Sequence, residues 1–211
     1  ISQPFVAFLS KKFPNASIEF YTAQNDSTIE AVKLFKDCNI SDIKTYDSSL
    51  MMSDVLAKED LDLRFDLDLA YESREDQKFA AAYFIAMGFA DEIPEDLVPK
   101  LSDLETIPDS VQIDNNKKVI AFCPEGSGWG GKQMSADKWK IFLQVCKDRG
   151  YLIASTMNEM LSQLYISQYQ SLSTLFDYRQ TSEDMRQSFL QMYALIQQSV
   201  AFVGSDNGPM H

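Results

Sequence analysis

Three short runs in this chain, KVIAFC at 118–123, LIAST at 152–156 and VAFVGS at 200–205, are apolar without alternation. A strand with one wet face alternates apolar and polar side chains. One that is apolar on both sides must be covered on both, as in the interior of a parallel sheet. Helical patterns separate the runs. Ser135 can cap a helix with Trp139, Phe142 and Val145 on one side, closing at Gly150. A helix is expected across 159–168, a strand at TLFDYR (174–179), and a further helix from about Glu183 with Met185, Phe189, Met192 and Ile196 on its apolar face. Four strand–helix steps of this kind make a doubly wound parallel sheet, whose ligands lie at the carboxyl ends of the strands. The final residues, SDNGPMH, sit at such an end.

The first half reads as a second wind. Phe5, Leu9 and Phe13 recur four apart, Val6 and Phe8 widen the apolar face, Pro4 suits a first helical turn, and Pro14 ends the helix. ASIEFYT (16–22) alternates like a strand, and Ser27 or Thr28 can cap a helix carrying Ile29, Val32 and Phe35. Such winds normally open on a strand, so a chain starting on the helix reads as lacking its first strand. Further on, DIKTYD (42–47) suggests a strand, Ser49–Leu56 a short helix, LDLRFDLDL (61–69) an alternating strand, and Glu72–Gly88 a helix ending at glycine. Pro94, Pro99 and Pro108 then punctuate an acidic stretch running to Asn115-Asn116. The expected organisation is therefore a domain over 1–108, a linker over 109–116 and a domain over 117–211.

Composition narrows the function. With 31 acidic and 19 basic residues in 211, the net charge of −12 is the wrong sign for a nucleic-acid coat or a polybasic membrane clamp. No run approaches the roughly 18 apolar residues of a membrane span, and the opening residues have neither the basic start nor the cleavage site of a signal peptide. The three cysteines, Cys38, Cys123 and Cys146, are widely spaced, and His211 is the one histidine. That pattern argues against a disulfide framework or a Cys/His zinc site and makes a reducing cytoplasm the expected compartment.

The loop 124–134, PEGSGWGGKQM, satisfies two phosphate-binding patterns formally. As a dinucleotide fingerprint it fails: Lys132, Gln133 and Met134 intervene before the helix cap, and Glu159 comes too late to hold a ribose in that motif. As a P-loop it lacks the hydroxyl after Lys132 that would ligate magnesium, since Gln133 stands there, although VAFVGSD imitates the second NTPase strand.

A third reading joins several segments. Strand, PEGS, a glycine linker and then Lys132 through Trp139 resembles the strand–PGAS–K-R-W-P-x-E-x-[FW] pattern of the lipopolysaccharide heptosyltransferases, glycosyltransferase family 9. VGSDNGPMH is similar to that family's V-G-x-D-T-G-P-M-H, and Phe13-Pro14-Asn15-Ala16-Ser17-Ile18 to its early FPxAxI step. The anchors fall in the family's order, and residues 40–110 contribute little. The resemblance implies an α/β fold of GT-B type: two Rossmann-like domains with parallel sheets, here incomplete at both termini, the second binding a nucleotide sugar. It further implies an inverting glycosyltransferase without an essential metal or cofactor. ADP-heptose would be the donor and a saccharide such as the lipopolysaccharide core the acceptor, at the cytoplasmic face of the inner membrane. The aspartate base would precede Ile1, so no catalytic residue is assigned within the chain.

Roles carry over residue by residue. Breaking a bond to a nucleoside diphosphate builds negative charge on the departing oxygen, so the site needs donors there. The resemblance gives that role to Ser127 and Lys132; the plain alternative for Lys132 is a solvated loop lysine. Asn207 and Gly208 would lead into a helix N-terminus that attracts phosphate. Asp206 would either cap that helix or accept bonds from the donor's hydroxyls. Glu159 would accept ribose hydroxyls or simply favour a helix's first turn. His211 would be a donor-proximal or structural residue of the first turn. The chain departs from the family pattern at Glu125, Met134, Ser135 and Asn207, the last replacing threonine. Two other readings stay open: a nucleotide-sugar-binding domain without catalysis, and a P-loop-like NTPase.

Overall fold

The computed structural model describes residues 2–67, 79–124, 134–157 and 169–205, in two compact units, Ile1–Ser102 and Asp103–His211. In the first, α1 (Gln3–Lys12) carries Pro4 in its opening turn and Lys11 and Lys12 in its last, where basic side chains favour the helix dipole. Strands β1 (Ile18–Ala23) and β2 (Ile40–Tyr46) pair in parallel, joined through α2 (Asp26–Lys33). The cap of α2 is Asn25, not Ser27 or Thr28. Asn25 lies in extended backbone, from which its side chain accepts the Thr28 N–H at 3.2 Å. Short α3 (Met52–Leu56) follows, then α4 (Phe79–Ala86). Residues 72–78 of the expected helix lie outside the described residues.

The first unit's core is largely aromatic. Phe5 and Phe84 are buried edge-to-face, their ring centres 5.2 Å apart, with Phe8, Phe65 and Phe89 around them. This explains why 61–67 is not a strand: Leu63 is 59% exposed, while Phe65 and Leu67 turn into the aromatic cluster. Among the described residues LDLRFDL pairs with no strand. Residues 68 and 69 of that expectation lie outside the described residues.

Cys38 sits in the turn before β2, its thiol near the Gln3 amide and the Lys36 carbonyl. Burial pushes its pKa up to about 11, partly offset by the Gln3 hydrogen bond. The thiolate is the nucleophile, so at pH 8 iodoacetamide should alkylate Cys38 about a hundredfold more slowly than an unperturbed thiol. The rate should climb about tenfold per pH unit until near that pKa. Peptide mass spectrometry checks it; alkylation at the rate of a free thiol at pH 8 would contradict it.

The second unit holds the parallel sheet. Its strands β3 (Val119–Cys123), β4 (Leu152–Ser155), β5 (Tyr178–Arg179) and β6 (Ala201–Gly204) lie in the order β5-β4-β3-β6, every described pairing parallel. The unbroken apolar runs find both faces covered. Ile120, Phe122 and Ile153 pack beneath Trp139, Leu143 and Cys146 of α5 (Ala136–Asp148). Val119 and Ala154 pack against Ala194 and Leu195 of α6 (Met185–Gln197). Helix α5 ends as its glycine predicts: Gly150 takes a φ of +83°, the Gly150 N–H bonds the Lys147 carbonyl and the Tyr151 N–H reaches the Cys146 carbonyl.

Helix faces are where the sequence reading slips. Of the expected face of α5, Trp139 is buried and Phe142 packs against the core, but Val145 is 40% exposed, and Leu143 and Cys146 are buried in addition. Helix α6 buries Ser188, Gln191, Ala194 and Leu195, leaving Met185 exposed. Its first turn is capped by Asp184, whose carboxylate accepts the backbone N–H of Arg186 and is thereby held below its usual pKa.

Residues 109–116, expected as a linker, are built into the second unit. Val111 and Ile113 are buried with Val119 and Leu195, and Leu104 and Ile107 pack on the same cluster. Glutamines of α6 and its C-cap stitch the segment down. The Gln198 amide donates to the Val111 carbonyl and accepts from the Ile113 N–H, Gln197 accepts from the Leu104 N–H, and Gln191 donates to the Ser110 hydroxyl. Among the described residues no helix is long and apolar enough to cross a membrane.

Candidate functional site: the carboxyl edge of the parallel sheet

The order β5-β4-β3-β6 defines a switch point. The chain moves outward from β3 to β4 and β5, then returns through α6 to place β6 on the other side of β3. In open α/β sheets ligands bind outside the carboxyl ends of the strands at such a point. Residues 125–133 follow β3 and residues 206–211 follow β6, so the two segments singled out in the sequence start from neighbouring strands. Their last paired positions are Cys123 and Gly204. Residues 158–168 follow β4, the other neighbour of β3.

Ser127, Lys132, Glu159, Asp206, Asn207, Gly208 and His211 themselves lie outside the described residues. The described residues establish the points from which the chain enters all three segments: Pro124, Met157 and Ser205.

Those points are held tightly. Gly204 is packed so close to β3 that a Cβ on it would stand 2.5 Å from the Cys123 carbonyl oxygen and about 3.1 Å from the Phe202 ring. The Ser205 N–H donates to that same Cys123 oxygen at 3.0 Å, and its hydroxyl donates to the Pro124 carbonyl at 2.6 Å. At the end of β4, the Thr156 N–H bonds the Phe122 carbonyl at 3.0 Å, and Ser155 and Thr156 are both buried. Beyond β5, buried Gln191 accepts from the N–H groups of Thr181 and Ser182, and buried Gln180 donates to the Ser188 carbonyl at 2.7 Å. Each strand therefore ends on buried polar groups engaged with the backbone, which fixes where the following chain begins.

Of these, Gly204, Ser205, Gln180 and Gln191 were not singled out in the sequence. Gly204 did carry a signal, because an isolated glycine inside an apolar strand often marks a close backbone approach. The serine and glutamines carried none. Trp139, which falls on the resemblance's aromatic position, is a core residue with its ring edge-on to Phe122, centres 4.9 Å apart. Among the described residues no three Cys, His, Asp or Glu side chains are grouped to hold a metal ion.

Parallel winds in both units, with a switch point in the second sheet, make this an α/β chain of GT-B type. The structure of the ADP-heptose lipopolysaccharide heptosyltransferase II of E. coli is similar to it over 100% of this chain and 76% of that one, with a TM-score of 0.69 and 16% sequence identity. At that identity the likeness is one of fold. No protein-family model matches the chain, and no curated protein matches it.

Proposed function

We propose that this chain acts as an inverting glycosyltransferase of heptosyltransferase type, taking a sugar from a nucleotide donor, with ADP-heptose the first to test, to a saccharide acceptor such as the lipopolysaccharide core. The observation that carries the proposal is the pairing of Cys123 with Gly204. It starts the lysine-bearing segment and the DNGPMH segment side by side at a switch point, in a fold shared with a heptosyltransferase. In this reading Lys132 and Ser127 stabilise the charge that develops on the departing diphosphate, and the backbone around Gly208 offers further N–H donors. Asp206 and Glu159 accept hydroxyls of the donor sugar and the ribose, and His211 stands at the edge of the pocket. The chain would work at the cytoplasmic face of the inner membrane, where such an acceptor is assembled.

The test is titration with ADP- and UDP-sugars of the chain and of its Lys132→Ala variant. Loss of one ammonium facing a diphosphate should weaken binding at least tenfold, about 1.4 kcal/mol or more, with the melting temperature unchanged. Equal affinities would remove Lys132 from the site, and absence of any nucleotide-sugar binding would remove the function.

A further inference from the structure

Resting on that reading, we infer that Ser205 is a positioning residue of the donor site. Its buried hydroxyl locks the exit of β3 to the exit of β6 and so sets the spacing of the two segments assigned to the diphosphate. Three observations converge on this one place. Ser205 is only 7% exposed, and Pro124 is fully buried. The Ser205 hydroxyl reaches the Pro124 carbonyl, 81 residues away in sequence, at 2.6 Å. Ser205 also gives its backbone N–H to the Cys123 carbonyl, and Gly204 beside it admits no side chain.

The geometry has a consequence that ordinary strand pairing lacks. The parallel ladder between β3 and β6 has its last described pair at Cys123 and Gly204. One residue further on that ladder has ended, so among the described residues no backbone pair ties Pro124 to β6. There the serine hydroxyl donates to the Pro124 carbonyl and supplies a side-chain link between the two strands. Pro124 is the residue directly before 125–133, and Ser205 the one directly before 206–211. The hydrogen bond therefore spans the roots of both segments. Groups that must meet one diphosphate from two segments depend steeply on their separation, because a misplacement of about 1 Å can cost about a hundredfold in function. A hydroxyl that holds the roots together acts on ligand affinity without touching the ligand.

The experiment compares ADP and UDP affinities, measured by calorimetry, for the full chain, Ser205→Ala, Ser205→Cys and Val111→Ala. The last removes buried methyls from the cluster that includes Val119 at the start of β3, and so serves as a control for stability alone. The expected result is about tenfold weaker nucleotide binding in Ser205→Ala and a smaller loss in Ser205→Cys, whose thiol is a weaker donor of similar size. Val111→Ala should bind within about twofold of the unaltered chain despite a lowered melting temperature. Should Ser205→Ala fail to fold, Ser205→Cys against Val111→Ala decides the matter. Unaltered affinity in the serine variants, or an equal loss in Val111→Ala, would overturn the positioning role while leaving the function standing. Failure of the unaltered chain to bind either nucleotide would overturn the function and this inference with it.

Discussion

Replacing Gly204 with alanine should lower stability by about 2–3 kcal/mol and the melting temperature by about 10 °C or more. The new Cβ would stand 2.5 Å from the Cys123 carbonyl oxygen, a distance that no relaxed contact shows. The carbonyl cannot swing aside without losing the Ser205 N–H that it accepts, and the Phe202 ring blocks the other direction. Relief must come from moving β6 away from β3, which loosens the parallel pairing Ile120–Ala201, Ala121–Phe202 and Phe122–Val203 below it. The contrast with Gly150 makes the mechanism specific. Nothing lies within 4 Å of a Cβ built there, so Gly150→Ala meets only the strain of its positive φ, about 1 kcal/mol. Thermal denaturation of both variants checks the ordering. A Gly204→Ala chain that melts within about 2 °C of the unaltered one would mean that the close approach is not maintained in solution.

The second large effect is expected at Gln198. Its side chain donates to the Val111 carbonyl at 3.1 Å and the Ala194 carbonyl at 2.8 Å, and accepts the Ile113 N–H at 2.9 Å. Gln198→Ala leaves the N–H of buried Ile113 and the carbonyl of buried Val111 without these partners. Leaving such groups unsatisfied should destabilise the chain by about 2–3 kcal/mol. The loss should appear as early protease cleavage in 103–116 as well as a lower melting temperature. Gln198→Glu separates donor from acceptor. A carboxylate keeps the bond from Ile113 but faces two carbonyl oxygens, so the variant should be as unstable as alanine near neutral pH. Those oxygens favour the protonated acid, raising its folded pKa. The acid's stabilising bond is then fully present below the ordinary Glu pKa of about 4.3 and lost as pH rises through the folded value. Melting against pH, referred to the unaltered chain, reads the sign; a Gln198→Glu deficit that widens on acidification would contradict the assignment.

Much of the fold was legible in the sequence because it depends on burial. VIAFC, LIAS and AFVG are apolar on both sides, and only the interior of a parallel sheet covers both sides of a strand. Glycine at 150 and proline at 14 marked helix ends for local steric reasons that no tertiary context alters. The site was legible only as two segments, 125–133 and 206–211, with chemistry suited to a diphosphate.

What the sequence could not determine was everything carried by neutral polar side chains. Gln3 gives its amide to the Lys36 carbonyl and accepts the Lys100 N–H, tying together parts of the first unit 97 residues apart. Gln191, Gln197 and Gln198 convert an apparent linker into part of a core, and turn the buried face of α6 away from its methionines. A glutamine has no periodicity to betray its partner, because its hydrogen bonds are directional and short, and the partner is chosen by the backbone brought near it. For the same reason, residues alone could propose that two distant segments serve one pocket. Only the strand order, with β6 returning to lie beside β3, starts them from the same edge.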